Sequence, residues 1–235
     1  MLEKGDFHVH STSSDGNLSP TEIVKYAKKR KVDIIALTDH NNVNGIDEAI
    51  SEGKKSNVVV IPGVELSTKY KNNRVHVLGY FKDDSYKNEL FIQILRDVKL
   101  GRIGEIKKIF KDKLDFHGYR NKLYVETGIK LLKFFGATVV LAHPVLICKN
   151  YYNEIFKMDF DGIEAKYFKN TEKDTEYFIN LAEEKGFLYT AGSDFHRMIE
   201  EYRIHGLIGD VFLNKNEIEA FLKGSGLDIW TKKFL

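Results

Sequence analysis

Six of the eight histidines in this chain fall in or beside short apolar runs, and several carboxylates keep the same company. DFHVH carries His8 and His10, and DIIALTDH ends in His40. VVVIPGVE ends in Glu65, ATVVLAHP contains His143, and FLYTAGSDFH ends in Asp194 and His196. Imidazole nitrogen and carboxylate oxygen suit borderline divalent ions such as zinc, manganese or iron, and the absence of thiolates argues against a structural cysteine-type zinc site. His8 and His10 are two apart, so a strand puts both on one face, with Phe7 and Val9 on the other. Asp194 and His196 stand in the same relation. A lone His-x-His pair is more often hydrogen-bonded than metal-bound. Ligand types recurring at strand ends along the whole chain point instead to one metal pocket.

The elements that must bring these residues together alternate between strand and helix. After DFHVH, Ser19 and Pro20 supply an N-cap and a first-turn proline for a helix reaching about Arg30. DIIALTDH is a strand and GIDEAISEGKKS a helix. In ELSTKYKNNRVHVLGYF, KNN reads as a hairpin turn between extended segments. An amphipathic, charged stretch covers about Glu89 to Lys113, and a helix about Thr127 to Phe135. Further helices are expected around 151–157 and over 172–185, and Asn214 caps a last one, KNEIEAFLKG. Such alternation implies a parallel sheet with right-handed crossovers, as a barrel or an open sheet. Its C-terminal strand ends then share one face, where ligands bind. His76, inside RVHVLGY, joins them only if its strand runs differently or points it inward midway. His117 and His205 read as ordinary surface or structural residues. No linker or repeat divides the chain, so residues 1–235 are expected to form one domain.

Composition excludes several classes of function. The formal net charge is +2 with both signs interspersed, which gives no polybasic field for nucleic acid or membrane. No apolar run is long enough to span a bilayer, and the start lacks a signal-peptide core, so a cytoplasmic protein with no membrane partner is expected. Cys148, the only cysteine, rules out an internal disulfide and reads as a structural residue.

In order along residues 6 to 196, His8-x-His10, Asp15, Asp39-His40, Glu65, His76, Ala142-His143-Pro144 and Ser193-Asp194-x-His196 resemble the motifs of the PHP (polymerase and histidinol phosphatase) superfamily. GVELSTKYKNNRVHVLGY and DGIEAKY are most similar to its stand-alone phosphoesterase branch, which includes 3',5'-nucleoside bisphosphate phosphatases and 5'-end exoribonucleases. The resemblance implies an α/β fold, a distorted (β/α)7 barrel, with three divalent metals. His8, His10, Glu65 and Asp194 would hold one metal. Glu65, as bridge, with His76 and His143 would hold a second, and Asp15, His40 and His196 the third. Relatives carry a cap over the substrate between the residues matching His76 and His143. Here that insertion, at about 82–126, is short, which implies a more open pocket.

The resemblance further implies hydrolysis of a small phosphomonoester by metal-activated water, with a nucleotide carrying more than one phosphate as the first candidate. Asp194, His196 and a metal-bound water are the candidates for protonating the leaving group. Arg102 resembles an arginine that relatives place at the start of the cap helix to bind phosphate, and Lys166 and Asn170 are weaker candidates for the same task. Asn170 stands where many relatives have a histidine. Ser11, Thr12 and Ser14 read as turn residues beside the site. Histidinol phosphate, the 5' end of short single-stranded RNA, or a non-catalytic metal-binding role are the alternatives. Oligomeric state is not set by the sequence.

Overall fold

The computed structural model describes residues 2–110, 118–119, 121–198 and 204–234. His117 and the end of the stretch expected over Glu89–Lys113 lie outside them. Strands β1 (Lys4–Val9), β2 (Ile34–Leu37), β3 (Val59–Tyr70) and β4 (Asn73–Phe81) come first. A small hairpin of β5 (Gly118–Tyr119) and β6 (Lys122–Leu123) precedes β7 (Ala137–Leu141), β8 (Gly162–Tyr167), β9 (Leu188–Gly192) and β10 (Leu213–Asn214). Eight of these form one sheet in the order β10-β1-β2-β3-β4-β7-β8-β9. The sheet curls until β1 meets the far edge: Val9 bridges Phe195, His10 N donates to Phe195 O at 3.0 Å, and Asp194 N donates to His8 O at 3.0 Å. The result is a distorted, nearly closed barrel.

The parallel expectation holds for β1–β2–β3 and β7–β8–β9, but β4 runs antiparallel to both β3 and β7. The cause is local, since only Lys71 and Asn72 separate Tyr70 from its partner Asn73. A connection that short can only reverse the chain. Lys71 adopts φ 50 at the turn, and its ammonium is held by Glu154 at 2.8 Å. β3 also continues well past the end of β2, so the β3–β4 hairpin rises above the barrel rim.

Helices α1 (Pro20–Lys29) and α2 (Ile46–Ser56) pack side by side outside β1–β3, and α7 (Glu172–Lys185) covers β8 and β9. α8 (Lys215–Ser225) and α9 (Asp228–Lys232) complete the chain. Ser19 and Asn214 cap as expected, each in a reciprocal box with the glutamate three residues on, and Thr171 does the same with Asp174. Each such cap contributes about 1 kcal/mol. The amphipathic stretch after residue 88 is two helices, α3 (Glu89–Lys99) and α4 (Ile103–Ile109). The break is at Gly101, whose φ of 68 suits a residue without Cβ. α5 (Val125–Phe134) packs on β3, β4 and β7, while the helix expected around 151–157 shrinks to α6 (Tyr152–Ile155). One continuous apolar core fills the space between sheet and helices, with Phe7 edge-on to Phe221 of α8 at 5.0 Å. No described helix is long and apolar enough to cross a membrane.

Candidate metal centre

The interior face of β1 presents Asp6 and His8, and His10 follows at the strand's end; all three are fully buried. Phe7 and Val9 alternate to the other side, as the strand period requires. Asp6 lies outside the candidate ligand groups and fixes the frame. Its carboxylate accepts from the backbone N–H groups of His8 (3.3 Å), Ser193 (3.1 Å) and Gly209 (2.8 Å), which ties β1 to the segments after β9. Asp39 does the same for the loop carrying Asp15. It accepts from Ser11 N, Ser11 Oγ and Ser14 Oγ at 2.8, 2.7 and 2.6 Å, so Ser11 and Ser14 are turn residues with a defined anchor.

Glu65 stands at the centre. β3 outruns β2 there, and an isolated bridge joins His40 to Glu65. The reversed β4 resolves the position of His76. It pairs with Ser67, while Glu65 pairs with Leu78, so His76 is the diagonal neighbour of Glu65 on one face. Glu65 Oε1 lies 2.9 Å from both His76 Nδ1 and His143 Nε2. Glu65 Oε2 lies 3.2 Å from His8 Nε2, 3.2 Å from His10 Nε2 and 3.1 Å from His40 Nδ1. Its two oxygens thus serve two different groups of imidazoles, as a bridging carboxylate would.

The remaining residues close the cluster. Asp194 Oδ1 is 3.1 Å from His10 Nε2 and 3.4 Å from His8 Nε2. Asp15 Oδ1 is 3.4 Å from His196 Nε2, and the same carboxylate is 3.8 Å from both His10 and His40. His143 and Asp194 adopt φ 28 and φ 54, each a strain of about 1–3 kcal/mol that the surroundings must hold. His143 N donates to Glu164 Oε2 at 2.8 Å, and Asp194 N to His8 O. All nine residues expected to bind metal therefore meet at one rim.

These donors fit a divalent cation better than they fit one another. His8 Nε2 and His10 Nε2 are 3.1 Å apart, and only one hydrogen can stand between two imidazole nitrogens. Glu65 Oε2 has three imidazoles within 3.2 Å, yet it is a buried oxygen in hydrogen-bonding geometry with none of them. The buried Nδ1 atoms of His10 and His40 are likewise without a hydrogen-bond partner. Lone pairs converging on common points, rather than pairing with donors, are what a metal site requires. Among the described residues, four groups have donor atoms close enough to hold an ion: His8–His10–Glu65–Asp194, His10–Asp15–His40–His196, His40–Glu65–His76 and Asp194–His196–His205.

Without cations, protons balance the carboxylates. Burial pulls His8 down, but Glu164, Glu65 and Asp194 outweigh it and hold the imidazole well above its ordinary value. His10 follows the same logic, burial opposed by Asp194 and Glu65, and is pushed up to about 9. In His40 burial wins, with His10 and His76 adding to it, and the group falls to about 4. Burial raises Glu65 and Asp194, but the surrounding imidazoles keep both carboxyls well below the usual range.

The three residues expected to bind phosphate are placed elsewhere. Arg102, between α3 and α4, pairs at 2.7–2.8 Å with Asp97, a buried carboxylate that needs a partner. Lys166 is turned away by a bulge in β8 between Glu164 and Lys166, and its ammonium sits on Glu217 at 2.6 and 2.8 Å. After the bulge Tyr167 faces the site instead, and its hydroxyl donates to Asp194 Oδ2 at 3.0 Å. Asn170 turns its amide back to Ala165 O at 2.8 Å. A cavity of about 560 Å³ above the cluster is lined instead by Arg74, Lys169 and Arg197, with the exposed apolar side chains of Leu146 and Ile204 beside them.

Sequence reasoning also missed Glu164, whose Oε1 is 3.0 Å from His8 Nδ1. Its signal was a carboxylate inside an otherwise buried strand, GIEAKY, which needs a partner to be stable. His205, expected to be ordinary, is 3.1 Å from Asp194. Cys148 is exposed, and no disulfide involves it.

Residues 6–222 match the PHP domain family, so the chain belongs to that family and is a metal-dependent phosphoesterase whose cluster suits divalent metals. A 5'-3' exoribonuclease of Haemophilus influenzae is 38% identical, the match covering 83% of this chain and 91% of that protein. A 3',5'-nucleoside bisphosphate phosphatase of Chromobacterium violaceum is 38% identical over 32% of this chain and 26% of its own length. Among solved structures, a Bifidobacterium adolescentis protein assigned to the metal-dependent phosphoesterases superposes with a TM-score of 0.73 at 20% identity, covering 94% of this chain and 96% of that one.

Proposed function

We propose that the protein hydrolyses a phosphomonoester of a small molecule, a nucleotide carrying more than one phosphate such as a 3',5'-nucleoside bisphosphate. The observation that carries this reading is the makeup of the cavity. A floor of metal-binding residues is flanked by Arg74, Lys169 and Arg197 for anionic groups and by Leu146 and Ile204 for an apolar ring. We assign the nine residues to three ions of manganese, zinc or iron, in the groups His8–His10–Glu65–Asp194, Glu65–His76–His143 and Asp15–His40–His196. When bound, such ions supply a water activated at neutral pH and neutralise phosphoryl charge.

The chain's own residues prepare and confine that chemistry. Glu65 joins two ligand groups through its two oxygens, and Glu164 orients His8 from behind. Guanidinium forks at Arg74 and Arg197 match phosphate oxygens bidentately. Asp194 is held ionised by His8, His10 and His205, so it serves as a ligand rather than a proton source. His196 gives its Nδ1 hydrogen to Asp194 O at 2.8 Å and keeps Nε2 for the cavity side. Residues 1–235 act as one domain in this reading, which the single apolar core of the described residues supports.

The length of the match to the exoribonuclease favours a second reading, removal of 5' nucleotides from short single-stranded RNA. A panel of adenosine 3',5'-bisphosphate, histidinol phosphate, p-nitrophenyl phosphate and a 5'-phosphorylated RNA tetramer separates the two. With Mn²⁺ or Zn²⁺ present, the bisphosphate is expected to show the highest kcat/KM, releasing inorganic phosphate. Faster release of mononucleotides from the tetramer would establish the second reading. No turnover on any of them by metal-loaded protein would defeat both.

A further inference from the structure

A fourth group of candidate ligands joins Asp194 and His196 to His205, one donor atom from each lying within 4.8 Å of the others. It cannot be an independent cation site, because two of its members are committed. His196 spends Nδ1 on Asp194 O at 2.8 Å and turns Nε2 to Asp15 at 3.4 Å. Asp194 turns Oδ1 to His8 and His10. What remains is Asp194 Oδ2, and it has two partners, the Tyr167 hydroxyl at 3.0 Å and His205 Nδ1 at 3.1 Å. The ionised carboxylate can only accept, so Nδ1 must carry the imidazole hydrogen.

His205 is held in place for this. Gly206 N donates to Ser193 O at 2.8 Å, and Gly209 N to buried Asp6 Oδ2 at 2.8 Å, so the segment after His205 is tied to the backbone just before Asp194 and to β1. The ring lies against His196 with centroids 4.1 Å apart, and His196 stacks in turn on His10 at 4.2 Å. We propose that His205 is a positioning residue of the metal centre: with Tyr167 it occupies Oδ2 of Asp194, so that Oδ1 alone faces the cation held with His8, His10 and Glu65. Carboxylates that bind metal depend on outer hydrogen bonds of this kind, and losing one costs about 10–100-fold in metal affinity or activity. Without His205, Asp194 at φ 54 has a single tether on Oδ2 and is free to swing that oxygen toward the ion.

The inference rests on the metal-centre reading, and metal affinity tests it without any substrate. Zn²⁺ or Mn²⁺ affinity is measured by chelator competition for wild type, His205→Leu and His205→Asn, with the thermal midpoint of each metal-free form taken in EDTA. His205→Leu removes the donor and keeps bulk, and is expected to weaken the tightest site about 10–100-fold. His205→Asn restores an N–H close to the place of Nδ1 and is expected to recover most of that loss. Should His205→Leu fail to fold, Tyr167→Phe removes the other donor to the same oxygen and is expected to show a loss of the same kind. Affinity within twofold of wild type for folded His205→Leu overturns the proposal, as does His205→Asn binding no better than His205→Leu. A wild-type protein that binds no divalent ion would overturn the metal-centre reading and this role with it.

Discussion

Replacing Glu164 by glutamine probes how strictly the centre depends on a residue that never touches the cavity. The two side chains are nearly isosteric, so packing hardly changes and the effect lies in hydrogen-bond direction and in the charge lost beside His8. Glu164 is fully buried and accepts on both oxygens, from His8 Nδ1 at 3.0 Å and from His143 N at 2.8 Å. A glutamine can accept on only one side. If its NH₂ faces His8, the imidazole must carry its hydrogen on Nε2, among His10 Nε2, Glu65 Oε2 and Asp194 Oδ1, and that nitrogen is lost as a ligand. If its NH₂ faces His143 N, two donors meet in a buried site, which costs about 1–3 kcal/mol. That second fault falls on a backbone already held at φ 28.

Neither orientation is harmless, so a loss of about 10–100-fold in metal affinity is expected, or about 1.4–2.7 kcal/mol. Chelator competition measures this directly. The metal-free protein also melts lower in either orientation, since Glu164 helps hold His8 protonated there, by about 2–4 °C for each kcal/mol lost in a chain of this size. A variant that binds metal within twofold of wild type and melts at the wild-type temperature would refute the account of Glu164 as the group that sets the His8 tautomer.

Gly192→Ala should damage the same triad from the other side, because a Cβ there would collide with Glu164 Oε1 and with His8 Cβ. Overpacking of this kind costs about 1–3 kcal/mol, read by urea unfolding in EDTA, and metal content after dialysis should fall with it. Metal binding should release protons. His8 stands well above its ordinary value and His10 at about 9 in the metal-free protein, so cations must displace hydrogens until about that pH. Apparent affinity should therefore go on rising above pH 7, whereas imidazoles near 6.5 would let it level off. The metal-free protein should show the opposite trend in stability. The His10 contribution is complete below pH 6.5, its unfolded value, and is lost as pH rises through about 9. Calorimetric titrations at pH 7.5 in buffers of different ionisation enthalpy should give at least one proton released, and no buffer dependence would contradict it.

The metal centre was legible because its ligands obey a rule that acts along the chain. In parallel strands each C-terminal end reaches the same rim, so His10, His40, His143 and Asp194 could be read from strand ends alone. Helix starts were equally local, since Ser19 and Asn214 cap through residues three positions away. His76 was the ambiguous case, and the tightness of the turn at Lys71 and Asn72 decides it.

What stayed hidden depends on pairing across the fold or on a break in period. Lys166 and Glu164 share a face only if β8 is regular. A single bulge exchanges Lys166 for Tyr167 and moves a cation out of the site and a hydroxyl in. Arg102 sits at a helix start as expected, but whether it meets phosphate or protein depends on Asp97, which folding buries to 3% exposure and so obliges to find a cation. His205 lies in no periodic element, and Gly206 and Gly209 tie its segment to Ser193 and Asp6, far away in sequence. Positive φ at His143 and Asp194 belongs with these cases. Functional positions are where a chain departs from its local rules, so periodicity locates the rim of such a site better than it assigns the residues that tune it.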